Sequence, residues 1–547
     1  MPSSNKVFQI KNRKGPVVAW ITILILLNTI LMSVYITLYF FCPFQLWIIF
    51  FLQLVCLQLT TPIMTNVMIN AIGGAAFYNK IKNAHTKIIN SVSVKDEDLP
   101  WVAIVVPVYN DFMPKEIAYT FKQNYPKIKR YILDDSTDEE MAKQIEIFAK
   151  KHDAVVLHSK NWRSNYYKKN GLSRAFDYFI NQTKGEWDYM IHVDSGDILM
   201  HDHAINAIKI FLSNKIDNLG SVCVVYKAVK LNNKLQNLFG LLWGNSNTPI
   251  KLFSTTYADV MMPGAGIVYK KEAIYRVGEW PNTQCEDGAM STCLVKNGYR
   301  NIWTNVTAYG ERQTLSLSSY FIRNYRISAG TYLMVKEKFL KLNPNKEIGT
   351  FSYMLEVFST LLQPLLLFTF LFSPIAMCLI HVDFNDFSLD SHYVVLISCI
   401  CVFGYITGYI GTCMASIFLL LRRRKYFIIP FFSIILSPLM PYIYLFAFIK
   451  VFIFNGAKKF IVTNKKMSSV EKDKKFFWFL FSLLLVILCI LIFGSLYFPF
   501  YSAFNLSVFI SFFAMLAIQI SCLCIIGLTA FKKQDNSYPN NKIQLID

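Results

Sequence analysis

Two pairs of aspartates follow apolar segments of the chain, at positions where carboxylates could bind a metal ion and phosphate groups. Asp134 and Asp135 end one segment, and Asp194 and Asp197 follow another. Mg²⁺ and Mn²⁺ prefer oxygen ligands and commonly share one or two carboxylates with the phosphates of a substrate. Aspartate after a strand is also a common turn or helix-capping residue, so each pair alone is equally compatible with a structural role.

The segments around these aspartates predict an α/β domain. Short apolar runs alternate with amphipathic stretches between residues 82 and 346, which is typical of strands and helices in alternation. A mostly parallel sheet binds ligands at the carboxyl ends of its strands, so we expect both acidic pairs at one edge. The predicted strands are 101–107, 130–134, 155–158 and 188–193, and the predicted helices are 115–123 and 139–151.

The composition of the 547-residue chain is that of a membrane protein. Hydrophobic residues make up 54% and charged residues 16%, and mean hydropathy is +0.35; ordinary globular domains have about 25% charged residues. The net charge of +20 suits anionic lipid head groups or a nucleotide diphosphate. No separate basic helix indicates nucleic-acid binding. The twelve cysteines form no CxxC pair, so no zinc site is expected.

Apolar runs on both sides of this domain predict a multi-pass membrane protein. Residues 1–81 form an N-terminal membrane region with two transmembrane helices, and residues 347–547 form a C-terminal one with four. Basic residues beside the spans place the N-terminus, the 82–346 domain and the C-terminus in the cytoplasm, at the plasma membrane. The predicted spans are 18–41, 46–69, 351–380, 394–421, 476–498 and 504–528, each long enough for a bilayer core.

The apolar segment 426–454 does not fit this alternation. Basic residues flank both of its ends, so both ends belong on the cytoplasmic side, and Pro430, Pro438 and Pro441 interrupt it. Such a segment is too short to cross twice as helices. We therefore expect an interfacial or re-entrant element.

Several motifs resemble those of the family 2 glycosyltransferases, specifically the membrane-bound synthases related to bacterial cellulose synthase. The resemblance covers about residues 101–466. It begins with VPVYN at 106–110, LDDS at 133–136, YKKNG at 167–171 and DSGD at 194–197. It implies a GT-A-type fold, a Rossmann-like mixed sheet, inserted as a cytoplasmic domain between transmembrane helices and interfacial helices. It also implies nucleotide binding by Tyr109, Asp134, Asp135 and Lys169, and Mg²⁺ or Mn²⁺ binding by Asp194 and Asp197.

The resemblance continues into the catalytic motifs. PGAG at 263–266 resembles the acceptor-site turn, which implies acceptor contacts at Gly264 and Gly266. Cys285-Glu286-Asp287 is similar to the family's Thr-Glu-Asp motif, which implies catalytic roles for Glu286 and Asp287. Asp287 would be the general base, because an inverting transfer must deprotonate the acceptor hydroxyl as it attacks the anomeric carbon.

Two motifs concern the helix after the domain and a loop near the membrane. RNYRI at 323–327 resembles the family's Gln-x-x-Arg-Trp motif. Arg326 would hold the diphosphate, while Ile327 offers the acceptor no aromatic face and Tyr325 is the candidate substitute. FIVTNK at 460–465 resembles the gating loop of cellulose synthase, placed at 458–468 here. Phe460, Thr463 and Lys465 would then close over the nucleotide-sugar.

These observations predict a processive hexosyltransferase that polymerises sugar and translocates the product across the membrane. UDP-glucose is the first donor expected, followed by UDP-galactose or UDP-galactofuranose, with a polysaccharide or lipid acceptor and membrane lipids as partners. The composition favours a capsular or secreted polysaccharide. The alternatives are transfer of single sugars to a lipid or glycolipid, and a catalytically silent transporter or receptor with a nucleotide-binding domain. The oligomeric state is not predicted.

Overall fold

A computed structural model describes residues 44–161, 171–257, 261–262, 264–314, 317–336, 440–456 and 537–546, with isolated positions elsewhere. Lys169, Phe460, Thr463 and Lys465 lie outside these residues, as do the predicted spans 351–380 and 394–421. The predicted spans 18–41, 476–498 and 504–528 are described only at scattered positions. Among the described residues, no helix combines the length and apolar character needed to cross a membrane.

The described residues form one mixed sheet of eight strands. Its order is β3-β2-β1-β4-β7-β6-β8-β5. Strands β3, β2, β1 and β4 are parallel to one another. Strand β7 runs antiparallel to β4 and β6, and β5 runs antiparallel to β8. The strands are β1 Val102–Val108, β2 Ile128–Asp134, β3 Ala154–His158, β4 Tyr189–His192, β5 Ile198–Leu199, β6 Leu219–Ala228, β7 Ile267–Lys270 and β8 Arg300–Glu311.

The mixed α/β sheet agrees with the fold class expected from the sequence. The continuous apolar run of β1 is buried on both faces, as in the centre of a parallel sheet covered by helices. The four predicted strands correspond to β1 to β4, each within two residues of its predicted bounds.

Helices cover both faces of the sheet. Asp138 begins α3 with its carboxylate accepting from the amides of Glu140 and Met141, and acidic and basic residues at its two ends favour the helix dipole. The helices are α1 Phe44–Ser91, α2 Pro114–Thr120, α3 Glu139–Lys151, α4 Gly171–Gln182, α5 His203–Leu212, α6 Lys234–Ser254, α7 Lys271–Val277, α8 Glu286–Lys296, α9 Leu317–Lys336 and α10 Met440–Phe448.

The second half of α1 packs directly on the α/β domain. Phe77 stacks on Phe253 at 5.8 Å between ring centroids. The His85 ring lies 3.1 Å from the Thr304 hydroxyl, and the Tyr257 hydroxyl donates to the Asn70 side chain at 2.6 Å. The predicted boundary between residues 81 and 82 therefore falls inside one continuous helix.

The described part of the 426–454 segment is helical and packs against α9. Tyr332 of α9 contacts the rings of Phe448 and Phe452. The Lys336 ammonium donates to the Val451 carbonyl at 2.8 Å, in a π-helical turn that follows α10. The position of this segment relative to a membrane stays a prediction.

Candidate active site

Asp134 is anchored at the carboxyl end of β2 by a chain of polar contacts. Its buried carboxylate accepts from the Ser136 amide at 3.0 Å and contacts the His158 ring at 3.0 Å. The other ring nitrogen of His158 lies 2.6 Å from Glu146. These contacts fix the shape of the loop that follows the strand. The nucleotide contact expected of Asp134 stays a prediction.

The neighbouring Asp135 carboxylate lies at the first turn of α4. A side-chain carbon at Gly171 would come within 2.6 Å of the Asp135 carboxylate. A carboxylate at a helix N-terminus is stabilised by the helix dipole. Tyr109 is exposed, and the loop that carries it contacts the loop after β2, since the Asn110 amide donates to the Ser136 hydroxyl. Tyr109 and Asp135 therefore lie on connected loops at the same edge of the sheet.

The 194–197 turn follows β4, which is the other parallel neighbour of β1. Asp194 is 41% exposed and lies 3.3 Å from the buried His192 ring. Asp197 is buried; its carboxylate accepts from the Tyr309 hydroxyl at 2.7 Å and from the Arg312 amide at 2.8 Å. Asp194 is therefore accessible, whereas the hydrogen bonds of the Asp197 carboxylate stabilise the turn. A metal contact by Asp197 stays a prediction.

Gly196 explains why this turn departs from a strict DxD motif. Its φ of 88° lies in the left-handed region, which side chains other than glycine rarely adopt. A side-chain carbon there would also lie 2.6 Å from the Met113 sulfur. An acid at position 196 would therefore need a strained backbone and a displaced Met113 side chain.

The residues around the turn fit a divalent cation that is shared with a substrate. Asp194 supplies an accessible hard oxygen ligand, and Mg²⁺ usually takes one or two carboxylates together with phosphate oxygens. Within the described ranges, no group of three or more histidine, cysteine or acidic side chains could hold a metal by itself. Asp194 is therefore the residue best placed to hold Mg²⁺ or Mn²⁺.

Asp287 lies at the start of α8 and contacts the turn that precedes β7. One carboxylate oxygen accepts from the Gly264 amide, and the other accepts from the Gly288 amide at 2.8 Å and faces the Cys285 thiol at 3.3 Å. The Gly266 amide donates to the His192 carbonyl at 2.6 Å. The structure therefore brings the expected base and the expected acceptor turn together beside β4.

The charges of Asp287, Asp194 and Arg326 all act on the neighbouring Glu286. Burial first, and then the Asp287 carboxylate, raise the pKa of Glu286 well above its ordinary value. The charge of Arg326 opposes this shift, and the charge of Asp194 adds to it. The raised pKa favours the protonated form of Glu286, which lowers the negative charge beside Asp287 and Asp194.

Helix α9 approaches the site closely through Gly330. A side-chain carbon at Gly330 would lie 2.5 Å from the Cys285 side chain. Arg326 precedes Gly330 by four residues and so shares its face of the helix. Tyr325 instead packs with Tyr332 and Val451, and burial raises the pKa of its hydroxyl. Its expected acceptor contact stays a prediction.

A buried ion pair next to the 194–197 turn was not predicted from the sequence. The Arg312 guanidinium lies 2.7 Å from the Glu116 carboxylate, and both side chains are buried. The two residues are 196 positions apart, and no local spacing pattern could have indicated their contact. The one sequence signal was that Glu116 and Arg312 lie next to apolar segments, where charged residues are uncommon unless they are paired.

Residues 103–278 match the family model described as Glycosyl transferase family 2. The matched residues include the 134–135 pair, the 194–197 turn and the acceptor turn. This part of the chain is therefore similar to family 2 glycosyltransferases, as its motifs indicated. The more specific likeness to cellulose synthase stays a prediction.

Solved structures of other glycosyltransferases show partial likeness to this chain. A mannosyltransferase from Pyrobaculum calidifontis in complex with GDP-Man and Mn²⁺ is 14% identical, covering 66% of this chain and 99% of its own, with a TM-score of 0.40. Glucosyl-3-phosphoglycerate synthase from Mycobacterium tuberculosis, with Mn²⁺, UDP and its product, is 14% identical, covering 44% and 81% respectively, with a TM-score of 0.31. No curated protein matches the sequence.

Proposed function

We propose that the protein is a membrane-bound, inverting hexosyltransferase that builds a polysaccharide from a UDP-sugar and translocates the product. The contact between Asp287 and the Gly264 amide supports this proposal most directly. This contact holds a carboxylate at the turn expected to bind the acceptor, next to β4, the strand that Asp194 follows.

The nucleotide-sugar would lie along the edge formed by β2, β1 and β4. Tyr109 and Asp135 would contact the nucleoside, and Lys169 and Arg326 would contact the diphosphate. Asp194 would hold Mg²⁺ or Mn²⁺, which when bound neutralises charge that develops on the leaving diphosphate. The donor sugar would then lie between Asp194 and Asp287.

Asp287 would accept the proton of the acceptor hydroxyl. The hydroxyl oxygen attacks the anomeric carbon, the bond to the diphosphate breaks, and the nucleoside diphosphate leaves with the bonding electrons. Two backbone amides orient the Asp287 carboxylate, which reduces the motion needed before proton transfer. Burial and the Asp287 carboxylate raise the pKa of Glu286, which favours its neutral form and so reduces repulsion with the diphosphate.

The apolar regions 1–81 and 347–547 support the membrane part of the proposal. Their runs are long enough to span a bilayer, and they flank the catalytic domain on both sides. The expected loop at 458–468 would close over the donor and exclude water. The preferred donors are UDP-glucose, and then UDP-galactose or UDP-galactofuranose.

Ile327 favours a second candidate, the transfer of single sugars to a lipid. An isoleucine cannot stack on an acceptor sugar as the motif tryptophan would. The purified protein in lipid nanodiscs, supplied with radiolabelled UDP-sugars and Mn²⁺, separates the two. A ladder of polymers supports the synthase, and one lipid-soluble product supports the alternative.

The matched variants Asp287→Asn and Asp153→Asn test the catalytic assignment. Asp153 has a fully exposed side chain and lies outside the proposed site. Loss of the base is expected to reduce turnover by about 10²–10⁴-fold, while Asp153→Asn keeps wild-type turnover. Equal turnover in both variants would exclude Asp287 as the base, and absence of transfer from every donor would exclude the enzyme.

A further inference from the structure

A short segment far along the chain packs against the catalytic domain. We name residues 537–546 the strap. The amide of Lys230 donates to the Gln544 carbonyl, and that of Ile546 donates to the Ala228 carbonyl, both at 2.8 Å. Val229 and Leu545 form an antiparallel bridge. The strap therefore extends the backbone pairing at the end of β6.

Tyr538 of the strap covers the buried ion pair of Arg312 and Glu116. Its side chain packs with Ile198 and Leu231. Its hydroxyl donates to the same Glu116 oxygen that Arg312 contacts, and the guanidinium lies 5.7 Å from the centre of its ring. Tyr538 therefore adds a hydrogen bond to Glu116 and places its ring near the Arg312 guanidinium.

The pair of Arg312 and Glu116 is connected to the 194–197 turn through the backbone of Arg312. The Arg312 amide donates to the Asp197 carboxylate at 2.8 Å, and the Asp197 amide donates to the Asp194 carbonyl at 3.1 Å. Leu545 packs against Gly310, where β8 pairs with Ile198 of β5. The strap thus contacts the two strands that hold Asp197.

We propose that Tyr538 is a positioning residue for the metal site. With the strap docked, Arg312 and Asp197 hold the 194–197 turn, so that the Asp194 carboxylate faces the diphosphate. When the strap is released, the ion pair is open to water and the turn loses its support. The proposal rests on the function proposed above in taking Asp194 as the metal ligand.

The variants Tyr538→Phe and Tyr275→Phe provide a matched test in the full-length protein. Both remove one hydroxyl, but the Tyr275 hydroxyl has no hydrogen-bond partner in the described part of the chain. The affinity for Mn²⁺ in the presence of UDP is measured by electron paramagnetic resonance of the free ion. Loss of a hydrogen bond to a charged, buried group predicts about tenfold or more weaker Mn²⁺ binding for Tyr538→Phe, and no change for Tyr275→Phe.

Turnover and thermal stability are measured on the same samples. Tyr538→Phe is expected to need more Mn²⁺ for half-maximal turnover, whereas a purely structural defect would lower stability without changing the Mn²⁺ requirement. Leu545→Ala loosens the strap without touching the ion pair, and it replaces Tyr538→Phe if that variant does not fold. Wild-type Mn²⁺ affinity in the folded strap variant would overturn the proposal.

The Mn²⁺ titration also separates this proposal from the proposed function. If the wild type transfers no sugar from any donor, the enzyme assignment fails, but weaker Mn²⁺ binding by Tyr538→Phe still supports the strap. If the wild type is active and both tyrosine variants bind Mn²⁺ equally well, the strap proposal alone fails.

Discussion

Restoring a strict DxD motif by Gly196→Asp should damage the protein rather than improve it. The φ of 88° at this position costs a residue with a side chain about 1–2 kcal/mol. The added carbon would meet the Met113 sulfur at 2.6 Å, and displacing that side chain costs about 1–3 kcal/mol more. The carboxylate itself would be buried between Asp194 and Asp197, which adds repulsion.

Two alanine variants separate these contributions. Gly298 also has a positive φ, of 83°, but a side-chain carbon there would meet no atom within 4 Å. Gly298→Ala should therefore lose about 1–2 kcal/mol, and Gly196→Ala about 2–5 kcal/mol when overpacking is included. Gly196→Asp should lose more than Gly196→Ala, and the difference is the electrostatic contribution.

Thermal unfolding of the purified protein, followed by tryptophan fluorescence, measures the three variants. A loss of 1 kcal/mol lowers the Tm by roughly 2–4 °C in domains of this size. Equal Tm values for Gly196→Ala and Gly298→Ala would show that Met113 does not confine the turn. Higher turnover or tighter Mn²⁺ binding by Gly196→Asp would refute the idea that the backbone excludes an acid here.

Three further outcomes are expected. Burial lowers the pKa of His85 and of His203 from 6.5 to about 4. Because the unfolded chain binds these protons more tightly, each neutral histidine contributes its full stability above pH 6.5 and loses it as the pH falls through 4, by up to about 3 kcal/mol. His203→Gln should flatten this pH dependence of thermal unfolding. An unchanged slope would contradict the prediction. Gly330→Ala should push α9 away from Cys285, move Arg326 and raise the KM for the nucleotide-sugar; a wild-type KM would show that Arg326 does not depend on this approach. Burial raises the pKa of Cys223 to about 12, so peptide-resolved mass spectrometry should find this thiol alkylated by iodoacetamide only after unfolding, and rapid alkylation of the native protein would contradict its burial.

The local sequence was sufficient to predict the half of the sheet that carries the nucleotide edge. β1 is a continuous apolar run, and Asp134 ends β2, so the period and length of each segment identified it as a strand. Because the carboxyl ends of parallel strands lie together, the sequence predicted both acidic pairs at one edge of the sheet; Asp134 ends β2 and Asp194 comes just after β4, and these two strands flank β1. These features depend on residues close together in the chain.

Other features depend on contacts that local patterns do not report. The antiparallel insertion of β7 between β4 and β6 is what brings Gly264 to Asp287, and pairing order cannot be read from apolar periodicity. The approach of α9 depends on one glycine, Gly330, which in the sequence looks like any helix-weakening residue. Tyr538 reaches Glu116 across 422 positions, and a single tyrosine in a polar segment gives no signal of burial.

On the proposed membrane topology, the strap would also limit how far the catalytic domain can lie from the bilayer. Only eight residues lie between Leu528, the end of the last proposed span, and Ser537, and the nine extended steps from one to the other reach at most about 30 Å. A docked strap would then keep the domain within that distance of the end of the proposed last span.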